Sequence, residues 1–207
     1  GALYRHNTHW LKGDPDSETF QIAQAMQVYT SQAKTDLERA AEFEHILPPE
    51  KMLERYPHNP ELVAFFLNKN ITAGDLEQVQ SLLERIPAEI ADKDARFWRA
   101  RAWVSDALGE LEPSEKSLRK AYELDPYWWQ VHFQLHDLLR RRGQTEESEK
   151  FLKIYRVSKE IAISIMTLNR TEDGFSDPKF SQSLLQLAEL VGDVEVTAAL
   201  RERVAAR

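Results

Sequence analysis

His132 and His136 stand four residues apart with Asp137 beside them, a spacing that on a helix puts both imidazoles on one face and could hold a metal ion. Ser117-Leu118-Arg119-Lys120 has the Ser-x-x-Lys spacing of some acyl-enzymes, yet none of the partner motifs of that chemistry accompanies it. His6 and His9 could pair only if the first residues of the chain fold. There is no glycine-rich phosphate loop and no Gly-x-Ser-x-Gly elbow. None of the 207 residues is cysteine, which excludes disulfides, thiolate zinc sites and cysteine nucleophiles. The residue types capable of catalysis therefore form no constellation, and the chain reads as no enzyme, with no cofactor and no metal.

The elements that would carry these side chains are helical. Phe133, Leu135, Leu138 and Leu139, then Ser148, Phe151, Leu152, Tyr155 and Val157, recur close to the helical period, and strand-like alternation is absent over any long run. Four short turns separate such stretches: Gly74-Asp75-Leu76, Gly109-Glu110-Leu111, Gly143-Gln144-Thr145 and Gly192-Asp193-Val194. A glycine just past a helix end takes the left-handed conformation without steric cost, so each turn lets one helix stop and the next reverse. Their separations are 35, 34 and 49 residues, which puts the first three in one register and implies an insertion between about Leu168 and Asp177. The polar run Asn169-Arg170-Thr171-Glu172-Asp173-Gly174 inside it reads as a loop.

Upstream, Leu62, Val63, Phe66 and Leu67 followed by Leu76, Val79, Leu82, Leu83 and Ile86 predict a hairpin whose second helix is cut short near Pro87. Pro48-Pro49 should open a helix over Glu50 to Arg55, since proline is tolerated in the first turn and not beyond it. Asp16 or Ser17 suits an N-cap for a helix with Phe20, Ile22, Ala23, Met26 and Tyr29 on one face. No turn glycine lies between Ser17 and His45, so that region is helical without a repeat register.

The stretch from Ala95 to Pro126 resembles a tetratricopeptide repeat, a unit of about 34 residues with the pattern W-x2-L-G-x2-Y, A-x3-F and P. Trp98 takes the aromatic slot, Ala102 and Ala121 the small slots, Gly109 the turn, and Leu124-Asp125-Pro126 the close; the pattern returns one repeat later through residue 162. Departures are Arg101 where Leu is usual, Ser105 for Tyr, Ser114 for Ala and Leu118 for Phe. The resemblance implies an all-α fold, a right-handed α-solenoid of antiparallel helix hairpins. The expected organisation is an extended segment over 1–16, helices over 17–59, repeats over 60–168 and a helix hairpin over 178–207, together one elongated domain. In this register His132 and His136 occupy the slots of Trp98 and Ala102, so they should pack between helices and bind no metal.

The resemblance also implies a concave face lined by the first helix of each pair, with partner-facing positions at Arg96, Arg99, Trp103 and Asp106 in one repeat and Gln130, Phe133, Asp137 and Arg140 in the next. Trp128, with Tyr127, falls between the repeats, and Trp103 and Trp128 either fill space between imperfect repeats or join the groove. Arginine and large aromatics anchor interfaces, so the expected function is a protein-interaction scaffold holding a partner peptide or helix, with Trp103 and Phe133 as apolar anchors and Arg96, Arg99 and Arg140 attracting carboxylates. The lysine-and-asparagine clamp of this family for a C-terminal carboxylate is not supported: Ala64 stands in the lysine slot and Gln130 and Gln134 in later basic ones, although Asn68 matches. The alternative is a structural or self-associating accessory module of a larger, membrane-anchored or exported protein, and an accessory domain of an enzyme would look the same.

Composition agrees with a helical array. Only 7 Gly and 9 Pro punctuate the chain, too few for a many-stranded sandwich. The net charge of −7 argues against a nucleic-acid surface, and no apolar run approaches the roughly 18 residues that read as a bilayer span. The chain opens Gly1-Ala2-Leu3 without methionine, as if a tag remnant preceded a truncated sequence that has lost a signal peptide, an anchor or another domain. Asn70-Ile71-Thr72 and Asn169-Arg170-Thr171 match the glycosylation sequon, a motif too common to assign a compartment. Homo-oligomerisation stays open.

Overall fold

Residues 17–30, 47–168 and 178–205 are described by the structure, a computed structural model. Every regular element among them is an α-helix: α1 (Glu18–Thr30), α2 (Pro49–Arg55), α3 (Pro60–Ala73), α4 (Leu76–Leu83), α5 (Ala88–Ala91), α6 (Ala95–Ala107), α7 (Leu111–Leu124), α8 (Trp129–Arg141), α9 (Thr145–Leu168), α10 (Pro178–Val191) and α11 (Val194–Ala205). The all-α expectation and its helix hairpins are borne out. The extended segment expected over 1–16, with His6 and His9, and the loop expected over Asn169 to Asp177 lie outside the described residues. The chain divides into two compact units, 1–91 and 92–207, so the division falls inside the block read from sequence as repeats, 60–168.

In the first unit, Ile22 and Ala25 of α1 pack with Met52 of α2 and Leu62 of α3. Helix α2 starts on Pro49, where the missing N–H leaves no helical bond unmade. Asn59 caps α3 by accepting from the backbone N–H of Glu61 and Leu62, and its amide donates to Glu18 Oε1 at 2.7 Å. One side chain thus fixes the start of α3 and ties it to α1. Asp75 caps α4, which ends at Leu83 ahead of Pro87 and the single turn of α5. Asn70 of the first sequon is in the last turn of α3, its amide donating to Phe66 O at 2.8 Å.

Three hairpins build the second unit: α6/α7, α8/α9 and α10/α11. Gly109 and Gly143 have φ of +79° and +74°, a conformation that favours glycine. In both turns the glycine N–H bonds the carbonyl three back (Asp106, Arg140) and the next N–H bonds the one five back (Ser105, Leu139), the paired bonding that terminates a helix at a left-handed residue. Leu118 and Ala121 of α7, Leu135, Leu138 and Leu139 of α8 and Phe151 and Ile154 of α9 form one core.

Two departures from the repeat pattern have structural explanations. Ser114 Oγ donates to Ala102 O at 2.9 Å, and Ser148, one register length later, donates to His136 O at 2.9 Å. Each buried serine thereby stitches the second helix of a hairpin to the first. Arg101 lies with its guanidinium 4.5 Å from the Trp98 ring centre and pairs with Asp92 at 2.7 Å.

Candidate functional site

Arg96, Arg99, Trp103 and Asp106 follow helical spacing along α6, and Gln130, Phe133, Asp137 and Arg140 do so along α8. Asp94 caps α6 and also receives the Arg96 guanidinium at 2.6 Å, so Arg96 is folded back on its own helix start. Arg99 is half-buried. Its guanidinium is 5.2 Å from the Trp128 ring centre, and its Nε donates to Gln134 Oε1 at 2.9 Å. Burial lowers its pKa from the ordinary guanidinium value, and the side chain ties α6 to the start of α8.

A cavity of about 70 Å³ opens between α6, α7 and α8. Ala102, Leu118 and Leu138, all buried, form its base, and half-buried Trp103 and exposed Phe133 flank it. Its charged rim is paired: Arg141 bridges Asp106 at 2.7 Å and Asp137 at 3.2 Å, and Arg140 reaches Asp137 at 2.8 Å. Trp103, Asp106, Phe133 and Asp137 therefore meet at one place. Arg96, Arg99, Trp128, Gln130 and Arg140 do not line it. Gln130 Oε1 is enclosed and accepts no hydrogen bond among the described residues.

Phe133 also belongs to a second cluster. Its ring centre is 5.2 Å from that of Tyr155 on α9, which is 6.1 Å from that of Trp129. The Lys159 ammonium lies 5.3 Å from the Tyr155 ring and 6.0 Å from the Trp129 ring, and donates to Tyr155 Oη at 2.9 Å. Sequence reasoning missed Gln134, Arg141, Trp129, Tyr155 and Lys159. The four-residue steps Trp129–Phe133 and Tyr155–Lys159 carry a signal for the aromatic cluster. Nothing local signals Gln134 or the Asp106 pair of Arg141, whose partners stand 35 residues away; only the Asp137–Arg141 step of four is local.

His132 is fully buried, its Nε2 at 2.9 Å from Pro126 O and its Nδ1 at 3.0 Å from Ser158 Oγ. A carbonyl only accepts, so Nε2 carries the proton. Burial drives the pKa of His132 down to about 4, against smaller upward pulls from the Pro126 carbonyl and Asp125. His136 Nδ1 is 3.1 Å from Ser148 O and 2.8 Å from Ser148 Oγ, and these acceptors place its proton on Nδ1. Among the described residues no group of three or more His, Cys, Asp or Glu side chains could hold a metal ion.

On the second-helix side, Arg119 forms a two-pronged pair with Glu147 (2.8 Å twice) and a pair with Glu115 at 2.7 Å, and Arg142 also pairs with Glu115. Glu147 holds Arg119 above its ordinary pKa and is itself lowered by it.

No family model matches the chain, and no curated protein matches it. Among solved structures the chain is similar to that of Pseudomonas aeruginosa pilF, with a TM-score of 0.49 and 15% identity over 98% of this chain and 85% of that one. It is also similar to a thermophilic TPR protein of Thermus thermophilus, with a TM-score of 0.47 and 16% identity over 92% of this chain and 98% of that one.

Proposed function

We propose that the second unit is a protein-interaction module, without catalysis of its own, whose α6–α8 face receives a segment of a partner protein. The observation that carries the reading is the pair Trp103 and Phe133 beside a cavity that Ala102, Leu118 and Leu138 also line, with Phe133 46% exposed. A large aromatic left in water next to a recess loses hydration on binding and gains close contacts, which is how a few residues dominate an interface. Arg96 and Arg99 then serve the scaffold, since both are engaged internally. Arg140 plays the charged role: its pair with Asp137 is 65% exposed on the arginine side and so exchanges readily for a partner carboxylate.

A photo-reactive residue at position 133 tests the reading. It should cross-link a defined cellular protein, and Trp103→Ala should remove that product while leaving the helical circular dichroism unchanged. Cross-linking that survives Trp103→Ala overturns it.

The alternative, a structural or self-associating module, draws on α11, none of whose residues is buried and whose Val194 is 81% exposed. Concentration-dependent sedimentation that disappears in Val194→Ser would favour it.

A further inference from the structure

The two ends of the α6–α8 face ask for different things from a ligand. At the cavity, Asp106, Asp137 and Arg141 are paired with one another, and Arg140, outside the lining, also pairs with Asp137, so these four charges are engaged internally and that end offers mainly shape. Its volume of about 70 Å³ is room for several water-sized groups. That suits one aliphatic side chain such as Leu, Ile or Met. At the Trp129–Phe133–Tyr155 end, Lys159 is exposed and lies over two rings. Its hydrogen bond goes to the hydroxyl oxygen of Tyr155, and among the described residues no carboxylate pairs with it. An ammonium lying against aromatic rings, with no carboxylate paired to it among the described residues, can take an incoming carboxylate as a charge-assisted hydrogen-bond partner. Phe133 touches both ends and makes them one surface.

We propose that the occupant of this face is an acidic amphipathic segment of a protein partner, which seats one aliphatic side chain between Trp103 and Phe133 and sets a carboxylate on Lys159. The inference rests on the groove reading above and deepens it to the chemistry of the partner.

A displayed library of random dodecapeptides, selected on the full chain at low salt, tests it. Enriched peptides should share an aliphatic residue three or four positions from Asp or Glu. Phe133→Ser, at an exposed position, should weaken the best peptide by roughly thirtyfold. Lys159→Glu should weaken it by roughly tenfold, mainly through slower association, and a new selection on that variant should enrich Lys or Arg in place of Asp or Glu. Peptides that need Phe133 yet ignore Lys159→Glu, or that anchor through aromatics or bases, overturn the partner chemistry and leave the groove. No Phe133-dependent peptide, or a dimer in sedimentation that Phe133→Ser dissolves, overturns the partner reading altogether.

Discussion

The α6/α7 and α8/α9 hairpins are built on one register and close one equivalent bond by different chemistry. In the first, the Trp98 indole N–H donates to the carbonyl of Asp92, six residues back, at 3.0 Å. In the second, His132 stands one register length later and its Nε2–H donates to the carbonyl of Pro126, again six residues back, at 2.9 Å. The aromatic slot is therefore also a donor slot, pinning the segment that leads into each hairpin. The difference lies in burial. Trp98 is half-buried under Arg101, whereas His132 is sealed between Ser158 and Tyr122. Two hairpins with the same bond thus respond differently to acid.

The largest expected effect follows from that contrast. The His132 pKa is about 4 in the folded chain against 6.5 for an ordinary histidine. The unfolded chain therefore takes up the proton first as pH falls. Stability is complete above about pH 6.5, declines towards pH 4 and levels off below it, a loss of roughly 3 kcal/mol from this one group. Urea unfolding of the wild type and of His132→Phe, at pH 7 and pH 4.5, should show that this share of the acid sensitivity vanishes in the variant. A matching change at Trp98→Phe should leave it in place. Equal acid sensitivity in the wild type and His132→Phe would break the comparison.

The stitching serines sharpen it at a smaller scale. Ser114→Ala leaves the buried Ala102 carbonyl with only its helical bond, at a cost of about 1 kcal/mol. Ser148→Ala also removes an acceptor of the His136 Nδ1–H and should cost about 2 kcal/mol. The ratio of the two in thermal unfolding measures how much more polar the second hairpin's interior is. The smallest effect belongs to the ion pairs across the second helices. Arg119→Ala should cost about 1 kcal/mol or less, and the loss should shrink as salt is raised from about 20 mM to about 1 M, because the side chain is 38% exposed.

What could be read from sequence is what the chain encodes locally. Gly74, Gly109, Gly143 and Gly192 mark four reversals because the left-handed backbone leaves little choice of residue. Pro49 and Asn59 mark helix starts for comparably local reasons. The commitments of the arginines were not legible. Arg99 meets Trp128 and Gln134, and Arg141 meets Asp106, only after two helices lie side by side. Position within a repeat says which way a side chain faces and not whether a neighbour has taken its charge. Ser114 and Arg101 teach the converse: both depart from the pattern, and each makes a specific bond that the usual residue could not.

The open space at the glycine corners gives this molecule seams. A Cβ added at any of the four would meet no atom within 4 Å, so the corners stand clear of the packing they terminate. A fluorophore, an affinity handle or a whole folded domain spliced in just after Gly143 would ride outside the array, displacing the Gln144 N–H bond to the Leu139 carbonyl while leaving the buried core in place. The chain can therefore be lengthened at those points without being redesigned between them.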